Sequence, residues 1–426
     1  MDTGNTAWLL MSIALVLLMT PGLAFFYGGL VRQRQAVNTI KMSFIALGII
    51  ALEWSLVGYS MAFAPGNAFL GGTSFIGLTG VGLDPDPEYA STVPHLAFAT
   101  FQMMFAIITP ALISGAVVGR MRFKAYAFFI LLWGIAVYNP IAHWVWGPGG
   151  FLGELGALDF AGGTVVHVSA GISAIVCALV LGPRSRGSDD TLSHAPHNVP
   201  FVILGASLLW FGWFGFNAGS ALAADGTAVL ALVTTMLSAS AALVTWVVVE
   251  SMERDKPSAT GAAIGAVVGL VAITPGAGFV TPVGAIAIGT LGALASYQTM
   301  RLLSRTRLDD TLDVFACHGM GGIAGCLLTG VFATTTVNAT GADGLLYGNP
   351  KLLLVQAITV VVAGAYAALA TFAVLVLVRK FVGLRTPTLA ERLGIDVYEH
   401  AESAYMLQEL AFRSRGAKTE EPAEVR

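Results

Sequence analysis

Eleven apolar runs, each near the length of a membrane-spanning helix, constrain the fold of this chain more than any other feature. A helix needs about 20 apolar residues to cross the hydrocarbon core of a bilayer. With 56% hydrophobic and 11% charged residues, the chain cannot be an ordinary soluble globule. We therefore predict an all-α polytopic membrane protein. The expected spans, of which the eighth is unusually short, are roughly 7–31, 41–63, 94–118, 125–145, 161–182, 199–220, 228–250, 259–275, 281–300, 314–335 and 352–379.

The distribution of basic residues predicts the orientation of these spans. Cationic side chains collect in the connections that stay on the cytoplasmic side. All 22 Lys and Arg residues except Lys351 lie in or beside the connections that follow odd-numbered spans, or in the C-terminal tail. We predict a multi-pass protein of the cell (inner or plasma) membrane with its N-terminus outside and its C-terminus cytoplasmic. This arrangement requires an odd number of spans.

Internal repetition predicts how the spans are arranged. Spans one to five and six to ten form two five-helix units, and because five is odd the second unit is inverted relative to the first. The tripeptide Ile-Thr-Pro occurs at 108–110 in span three and at 273–275 in span eight, which are matching positions. The predicted fold is therefore eleven transmembrane helices, built as two inverted five-helix repeats plus a long eleventh helix.

Two histidines lie deep inside spans five and ten. His167 and His318 each begin the string His-x-x-x-Gly-Ile, and neither span contains Lys or Arg. A titratable imidazole at this depth is costly unless it is paired or faces a polar path, so it marks a site of function. A lone buried histidine is usually a core residue, but two on inverted repeats favour a shared pore. We expect the two rings to meet near the membrane midplane.

Longer segments around these residues are similar to a known family. They resemble the ammonium transporters of the Amt/Mep/Rh family, and the resemblance covers nearly all of residues 7–405. The presence of both histidines and of Trp146 points to the prokaryotic Amt type. The resemblance implies a homotrimer in which each eleven-helix subunit has its own narrow pore. The segments that carry it are Asp159 to His167, Phe211 to Ser220, Asp309 to Gly319 and Phe101 to Ala106.

The resemblance also implies roles for individual side chains. Phe105, Trp146 and Ser220 would form an external recruitment site, while Phe105 and Phe216 would stack as a gate above the histidines. The chemistry is suitable, because ammonium is a cation with four N–H donors and binds aromatic faces and hydroxyl acceptors. From the residues alone, Trp146 is also explained as an interfacial belt residue and Phe105 as ordinary packing.

Acidic residues begin the two histidine helices. Asp159 precedes span five, where it can cap the helix or bond backbone amides, and it can also attract cations. Its predicted role, like that of Asp313, is electrostatic and structural support. Asp309 and Asp310 share the start of span ten with Asp313, and capping together with salt bridges explains all three. The expected basic partners end span nine: Arg301, Arg305 and Arg307.

Glu53 is the unusual acid, because it lies well inside span two in the string Ala-Leu-Glu-Trp. An ionisable side chain at such a depth is expensive unless it is paired or meets water. We expect it to face a subunit contact or water.

The chain becomes polar after the last span. We divide it into a transmembrane ammonium transporter domain, 1–380, and a cytoplasmic regulatory tail, 381–426, whose residues 413–426 are expected to be disordered. The resemblance implies that the tail packs beneath a neighbouring subunit. It also implies that the cytoplasmic face receives a PII signal protein, as in many prokaryotic members.

The predicted function is ammonium transport for nitrogen uptake, with NH4+ recruited outside, deprotonated, and conducted as NH3 with or without its proton. An ammonium sensor (transceptor), marked by an appended output domain, is one alternative. A channel for another small neutral solute is the other, although such a channel needs no aromatic cation site. No nucleophile triad, phosphate loop or metal-ligand cluster is visible, so we expect no enzyme, cofactor, metal or nucleic-acid partner.

Overall fold

The computed structural model describes residues 1–185 and 195–405, which fold into a bundle of apolar helices. Ten helices in this part of the chain are long and apolar enough to cross a membrane, and an eleventh, α8, is shorter. The predicted number of spans is thereby met. Their bounds are α1 Thr3–Leu30, α2 Gln33–Phe63, α3 His95–Val117, α4 Phe123–Glu154, α5 Gly163–Leu181, α6 Val199–Ala221, α7 Gly226–Glu253, α8 Ala259–Ile273, α9 Pro282–Ser304, α10 Phe315–Phe332 and α11 Pro350–Phe381.

The remaining elements are short. A two-stranded antiparallel hairpin, β1 Pro85–Asp86 and β2 Ala90–Pro94, lies in the connection between α2 and α3. Two helices, α12 Thr388–Leu393 and α13 Ile395–His400, follow α11. Single turns of 3-10 helix occur at Ile76–Leu78 and Leu345–Tyr347.

The short eighth helix is completed by irregular backbone. Its 15 residues span only about 22 Å, less than a hydrocarbon core. The chain then continues through buried turns, in which the Pro275 carbonyl accepts a hydrogen bond from Phe160 N at 3.0 Å. Irregular backbone is tolerated at membrane depth where protein surrounds it. Residues 274–280 therefore extend α8 toward the start of α5.

Equivalent helices of the two five-helix units pack against each other. The first helices of the units, α1 and α6, lie side by side, and so do the last helices, α5 and α10. The α5–α10 contact depends on glycine: a Cβ atom on Gly171 would lie 2.2 Å from the Gly319 Cα. Small residues allow helices in lipid to approach this closely. Because both positions are glycine, the backbones of α5 and α10 touch close to His167 and His318.

One end of the bundle, which we call the basic end, gathers the connections that follow α3, α5 and α9. Arg120 is fully buried there and donates to Thr311 Oγ1 at 2.6 Å and to the Asp309 carbonyl. Arg184 pairs with the Asp309 carboxylate at 2.8 Å. Residues of the connection after α9 therefore provide the hydrogen-bond acceptors and the counter-charge for the buried Arg120 of the connection after α3.

The expected pairing of the α10 acids with the arginines of α9 was wrong. Asp309 pairs with Arg184 and Arg120, and Arg301 pairs instead with Glu253 at the end of α7. The physical reason is that Asp309 lies where the connections after α3 and α5 place Arg120 and Arg184, while Arg301 lies beside the end of α7. Neighbours in sequence are thus separated, and distant connections meet.

The expectation that Glu53 faces a subunit contact or water was also wrong. Its side chain is buried between α2 and α4, and Asn139 Nδ2 donates to Glu53 Oε1 at 2.7 Å. The carboxyl group is thus enclosed within one subunit.

The described part of the tail folds onto the basic end. The carboxylate of Asp396 accepts hydrogen bonds from the backbone N–H groups of Val37 and Asn38 at 3.0 and 2.8 Å. Arg385 pairs with Glu391 at 2.5 Å and donates to carbonyls at the end of α5. The predicted disordered segment, 413–426, lies outside the described residues.

We predict that Asp309→Asn lowers the free energy of unfolding by roughly 3 kcal/mol at neutral pH, because it leaves the buried Arg120 without its counter-charge. Burial alone would raise the pKa of Asp309, but the hydrogen bonds and charge of Arg184 outweigh it and hold that pKa below its usual value. The contribution is therefore present above the ordinary aspartate pKa and is lost as the pH falls through the lowered one.

Thermal unfolding in detergent, from neutral pH down to below the lowered pKa of Asp309, measures the effect of Asp309→Asn. The matched control is Asp255→Asn, because Asp255 is exposed. Equal stability of the two variants at neutral pH would contradict the prediction.

Candidate functional site

The two histidines predicted to meet are direct neighbours in the structure. His167 Nδ1 and His318 Nδ1 lie 3.3 Å apart, and the ring planes are inclined by 26°. Both side chains are almost fully buried, at 1% and 3% exposure. One Nδ1 carries the proton that the other accepts, so at least one of the two rings is a neutral imidazole with an unprotonated Nδ1 when this bond forms. His167 Nε2 has no partner among the described residues.

Both histidines lie in π-helical turns. His167 is within Gly163–Val168 at the start of α5, and His318 is within Phe315–Met320 at the start of α10. Such turns contain one extra residue per turn and recur at functional sites. They are a feature that sequence analysis missed, because periodicity of side chains does not reveal which carbonyl each N–H selects.

A narrow cavity adjoins both imidazole rings. Its wall is apolar apart from the two histidines and an indole, so it offers a hydrated ion almost nothing in place of its water. The lining residues are Met19, Leu23, Ile108, Leu112, Val166, His167, Leu209, Trp213, Phe216, Val267 and His318.

Two phenylalanines stack beside this cavity, and one of them, Phe216, forms part of its wall. The rings of Phe105 on α3 and Phe216 on α6 are 4.2 Å apart at an angle of 28°, and both side chains are buried. Phe216 also lies 6.1 Å from the ring of His167. The predicted gate residues are therefore in contact, and the nearer histidine lies directly behind them.

Trp146 lies on the other side of Phe105. The two rings are 5.9 Å apart and nearly perpendicular, and Trp146 Nε1 donates to the Asp159 carbonyl at 2.8 Å. Ser220 Oγ donates to the Phe216 carbonyl at 2.8 Å, which leaves its oxygen lone pairs available as acceptors. Both side chains are partly exposed. Trp146, Phe105, Phe216 and His167 thus follow one another from a partly open surface to the buried pair.

Asp159 caps the first histidine helix. Its carboxylate accepts four backbone N–H bonds, from residues 162, 163, 164 and 165, at 2.6–3.1 Å. These are the N–H groups that have no partner within a helix. The cap also encloses Gly162, whose φ of 107° is in the region that favours glycine. Asp159 therefore fixes the turn that carries His167.

At the second histidine helix, Asp310 makes the equivalent contact. Asp310 Oδ2 accepts a bond from Phe315 N at 2.7 Å, and burial raises the pKa of this carboxyl to about 6. Asp313 contributes through its backbone, which has a φ of 54° and whose carbonyl accepts a bond from Cys317 N. Asp310, which sequence analysis did not select as the support residue, caps α10. The supporting role of Asp313 stays a prediction.

Trp213 is the site residue that sequence analysis missed. Its ring stacks on His167 at 5.4 Å and 19°, and its Nε1 donates to Thr274 Oγ1 at 2.9 Å. The signal was the repeated Ile-Thr-Pro: Thr274 belongs to one copy, and Thr109 in the other copy bonds the Phe105 carbonyl at 2.6 Å. Thr274 thus orients the Trp213 ring, whereas Thr109 bonds only the backbone four residues before it in α3.

We predict that Asp159→Ala lowers the free energy of unfolding by at least about 2 kcal/mol, since four buried N–H groups lose their acceptor. The control is Asp225→Ala, which removes an exposed aspartate that caps α7 through two N–H bonds and should cost about 1 kcal/mol. Thermal unfolding of the purified variants compares the two. A smaller loss in Asp159→Ala than in Asp225→Ala would contradict the assigned cap.

Comparison with known proteins relates this geometry to a family. The family model described as Ammonium Transporter Family matches residues 7–405. The chain is 47% identical to the ammonium transporter of Bacillus subtilis, over 95% of this chain and 99% of that protein. It is 48% identical to the ammonium transporter of Aquifex aeolicus, over 96% and 94% respectively. The crystal structure of Saccharomyces cerevisiae Mep2 is similar with a TM-score of 0.84 and 34% identity, over 91% of this chain and 88% of that one.

Proposed function

The chain belongs to the ammonium transporter family, and from that membership we propose that it carries ammonium across a cell membrane through the cavity that contains His167 and His318. The observation that supports this most directly is the order of side chains: an aromatic and hydroxyl site, a stacked phenylalanine gate, and then a pair of buried imidazoles. Each stage suits one step in the passage of a weak acid.

The first step is recruitment of the cation. The faces of Trp146 and Phe105 attract a positive charge through their ring quadrupoles, and the Ser220 hydroxyl accepts a hydrogen bond from an N–H group. Four N–H donors distinguish NH4+ from a spherical ion. These three residues therefore form the proposed recruitment site.

The second step is loss of charge. The stacked rings of Phe105 and Phe216, and the apolar cavity behind them, make transfer of a bare or hydrated cation expensive. Ammonium can surrender a proton and continue as neutral NH3, whereas a potassium ion has no proton to lose. The neutral histidine pair offers NH3 hydrogen-bonding partners along an otherwise apolar path. Selectivity thus follows from proton transfer instead of ion size.

The setting of the transporter belongs to the same proposal. The basic end faces the cytoplasm, since cationic connections are retained there, and Thr3 lies outside. Residues 1–380 form the transport domain and 381–426 the regulatory tail. Three copies assemble into a homotrimer, and a PII signal protein binds the cytoplasmic face. Crosslinking in native membranes, together with protease access to the tail, tests these assignments.

Current recording on proteoliposomes tests the transport itself. An ammonium pulse is expected to produce a current if a proton crosses with each NH3, and a potassium pulse is expected to produce none. Accumulation measured by internal alkalinisation, without any current, would indicate neutral passage of NH3. Binding of ammonium without flux would favour the sensor, and flux of urea or water equal to that of ammonium would favour a neutral-solute channel.

We predict that Trp146→Leu raises the ammonium concentration for half-maximal flux by roughly 2- to 30-fold, the range that a lost cation–π contact of about 0.5–2 kcal/mol implies. Trp144→Leu is the matched control, because Trp144 packs on Tyr366 and Phe151, away from Phe105. Equal half-maximal concentrations in the two variants would argue against recruitment at Trp146.

We predict that His167→Ala abolishes the ammonium-evoked flux, because it removes one member of the imidazole pair and leaves His318 Nδ1 unpaired. The control is His197→Asn, at the basic end, where His197 bonds the Val31 carbonyl. Flux is measured after thermal unfolding has verified that both variants are folded. A folded His167→Ala protein with undiminished, ammonium-selective flux would refute the proposed path.

A further inference from the structure

Glu53 is a buried carboxyl group that the proposed transport path does not use. It lies in α2 at 3% exposure, at the point where a π-helical turn, Trp54–Gly58, begins. Its hydrogen-bond partner Asn139 directly follows another π-helical turn, Gly134–Tyr138, in α4. Two irregular turns on adjacent helices therefore meet at one acid–amide contact.

If Glu53 is an ionised carboxylate, its contact with Asn139 leaves some hydrogen-bonding groups without a partner. Asn139 Nδ2 donates to Glu53 Oε1 at 2.7 Å. Glu53 Oε2 and Asn139 Oδ1, which are both acceptors, are buried and receive no donor from the described residues. One acid–amide pair thus contains two unsatisfied acceptors and lacks one donor.

The surroundings leave little room for another donor. A Cβ atom on Gly58 would lie 2.9 and 3.0 Å from the two carboxyl oxygens, and one on Gly134 would lie 3.4 Å from Oε2. The neighbouring side chains are aromatic or amide groups: Trp54 packs on Tyr138, whose buried hydroxyl also has no partner. None of the ion pairs in residues 1–185 and 195–405 involves Glu53.

An ionised carboxylate in this position would be costly. It would lie at membrane depth with one neutral hydrogen bond and no counter-charge, and charges buried in that way neutralise instead. A carboxylic acid, by contrast, supplies the one donor that the contact lacks. The proton would lie between the two acceptors that have no other partner.

We propose that Glu53 is a neutral carboxylic acid whose Oε2–H group donates to Asn139 Oδ1, so that acid and amide form a cyclic pair of two hydrogen bonds joining α2 and α4. In this pair, Glu53 Oε1 accepts from Asn139 Nδ2 and Glu53 Oε2–H donates to Asn139 Oδ1, so neither buried acceptor is left without a partner. The pair is a fixed crosslink between helices and takes no part in proton transfer.

The crosslink positions the recruitment site, a statement that rests on the proposed function. Asn139 begins the helical segment Asn139–Trp146, and seven residues, or about two turns, separate its side chain from that of Trp146. The two side chains therefore share one side of the segment. The π-helical turn before Asn139 shifts the register of α4, so the bond to Glu53, together with the Trp146 bond to the Asp159 carbonyl, sets the rotation at which Trp146 meets Phe105. Glu53 is thus a positioning residue.

Infrared spectroscopy of the full chain in lipid tests the protonation state directly. The difference spectrum between wild type and Glu53→Gln is expected to contain a carboxylic-acid C=O band that persists from mildly acidic to alkaline buffer. Because only Glu53 is changed, the difference spectrum separates its C=O band from the bands of the other buried acids. A carboxylate band in its place, or a C=O band that titrates away near neutral pH, would overturn the proposal.

Flux measurements test the positioning role. Glu53→Gln keeps both hydrogen bonds, since its amide N–H replaces the acid O–H, and should leave the KM for ammonium unchanged. Glu53→Leu should raise KM several-fold with a smaller change in maximal flux, and Asn139→Leu should reproduce that result from the other helix if Glu53→Leu does not fold. Loss of flux in Glu53→Gln, or an unchanged KM in both leucine variants, would overturn the role.

The two tests separate this inference from the proposed function. An unchanged KM in Trp146→Leu would remove the recruitment site and with it the positioning role. The infrared band would be unaffected, because it reports the acid–amide pair alone.

Discussion

The absence of water inside a bilayer is the constraint on which the rest of this structure depends. A polar group at membrane depth cannot be solvated, so it must find its partner within the protein. Asp159 satisfies four backbone N–H groups, Trp213 donates to Thr274, and Glu53 accepts from Asn139. The bonds of Trp213 and Glu53 join segments that are distant in the sequence, and those of Asp159 fix the turn at the start of α5. Polar side chains in the bundle therefore determine how its helices are held.

The same constraint shapes the cavity beside the two histidines. Glycine at positions 171 and 319 lets α5 and α10 touch, and π-helical turns rotate a histidine from each helix into one cavity. The surrounding wall is apolar, so the paired rings are its main hydrogen-bonding groups. In the proposed function, this apolar path discriminates between solutes by whether they can become neutral. The proposed selectivity therefore rests on the exclusion of water from the cavity, since a charged solute would lose its hydration there.

Site residues could be predicted from the sequence where burying that residue type in a membrane span costs free energy. Histidine in an apolar span is such a case, and the rings of His167 and His318 are in contact. Trp213 could not be found in that way, because tryptophan in an apolar span costs little and its role depends on stacking against a distant helix. The partners of Asp309 were predicted wrongly for the same reason: proximity along the chain does not determine which connections meet at the basic end.

What the sequence determined by itself is the set of spans, since hydrocarbon length and apolar composition are local properties that any twenty-residue window reveals. It also determined that two histidines, on repeats of opposite orientation, would share a site. The tertiary structure alone decided which turns became π-helical, which acid capped α10, and that Glu53 would be enclosed against Asn139. The Glu53–Asn139 contact depends on a partner from a distant segment, which is in place only after the helices have packed. The cap and the π-helical turns are choices among nearby groups that the residue types alone do not distinguish.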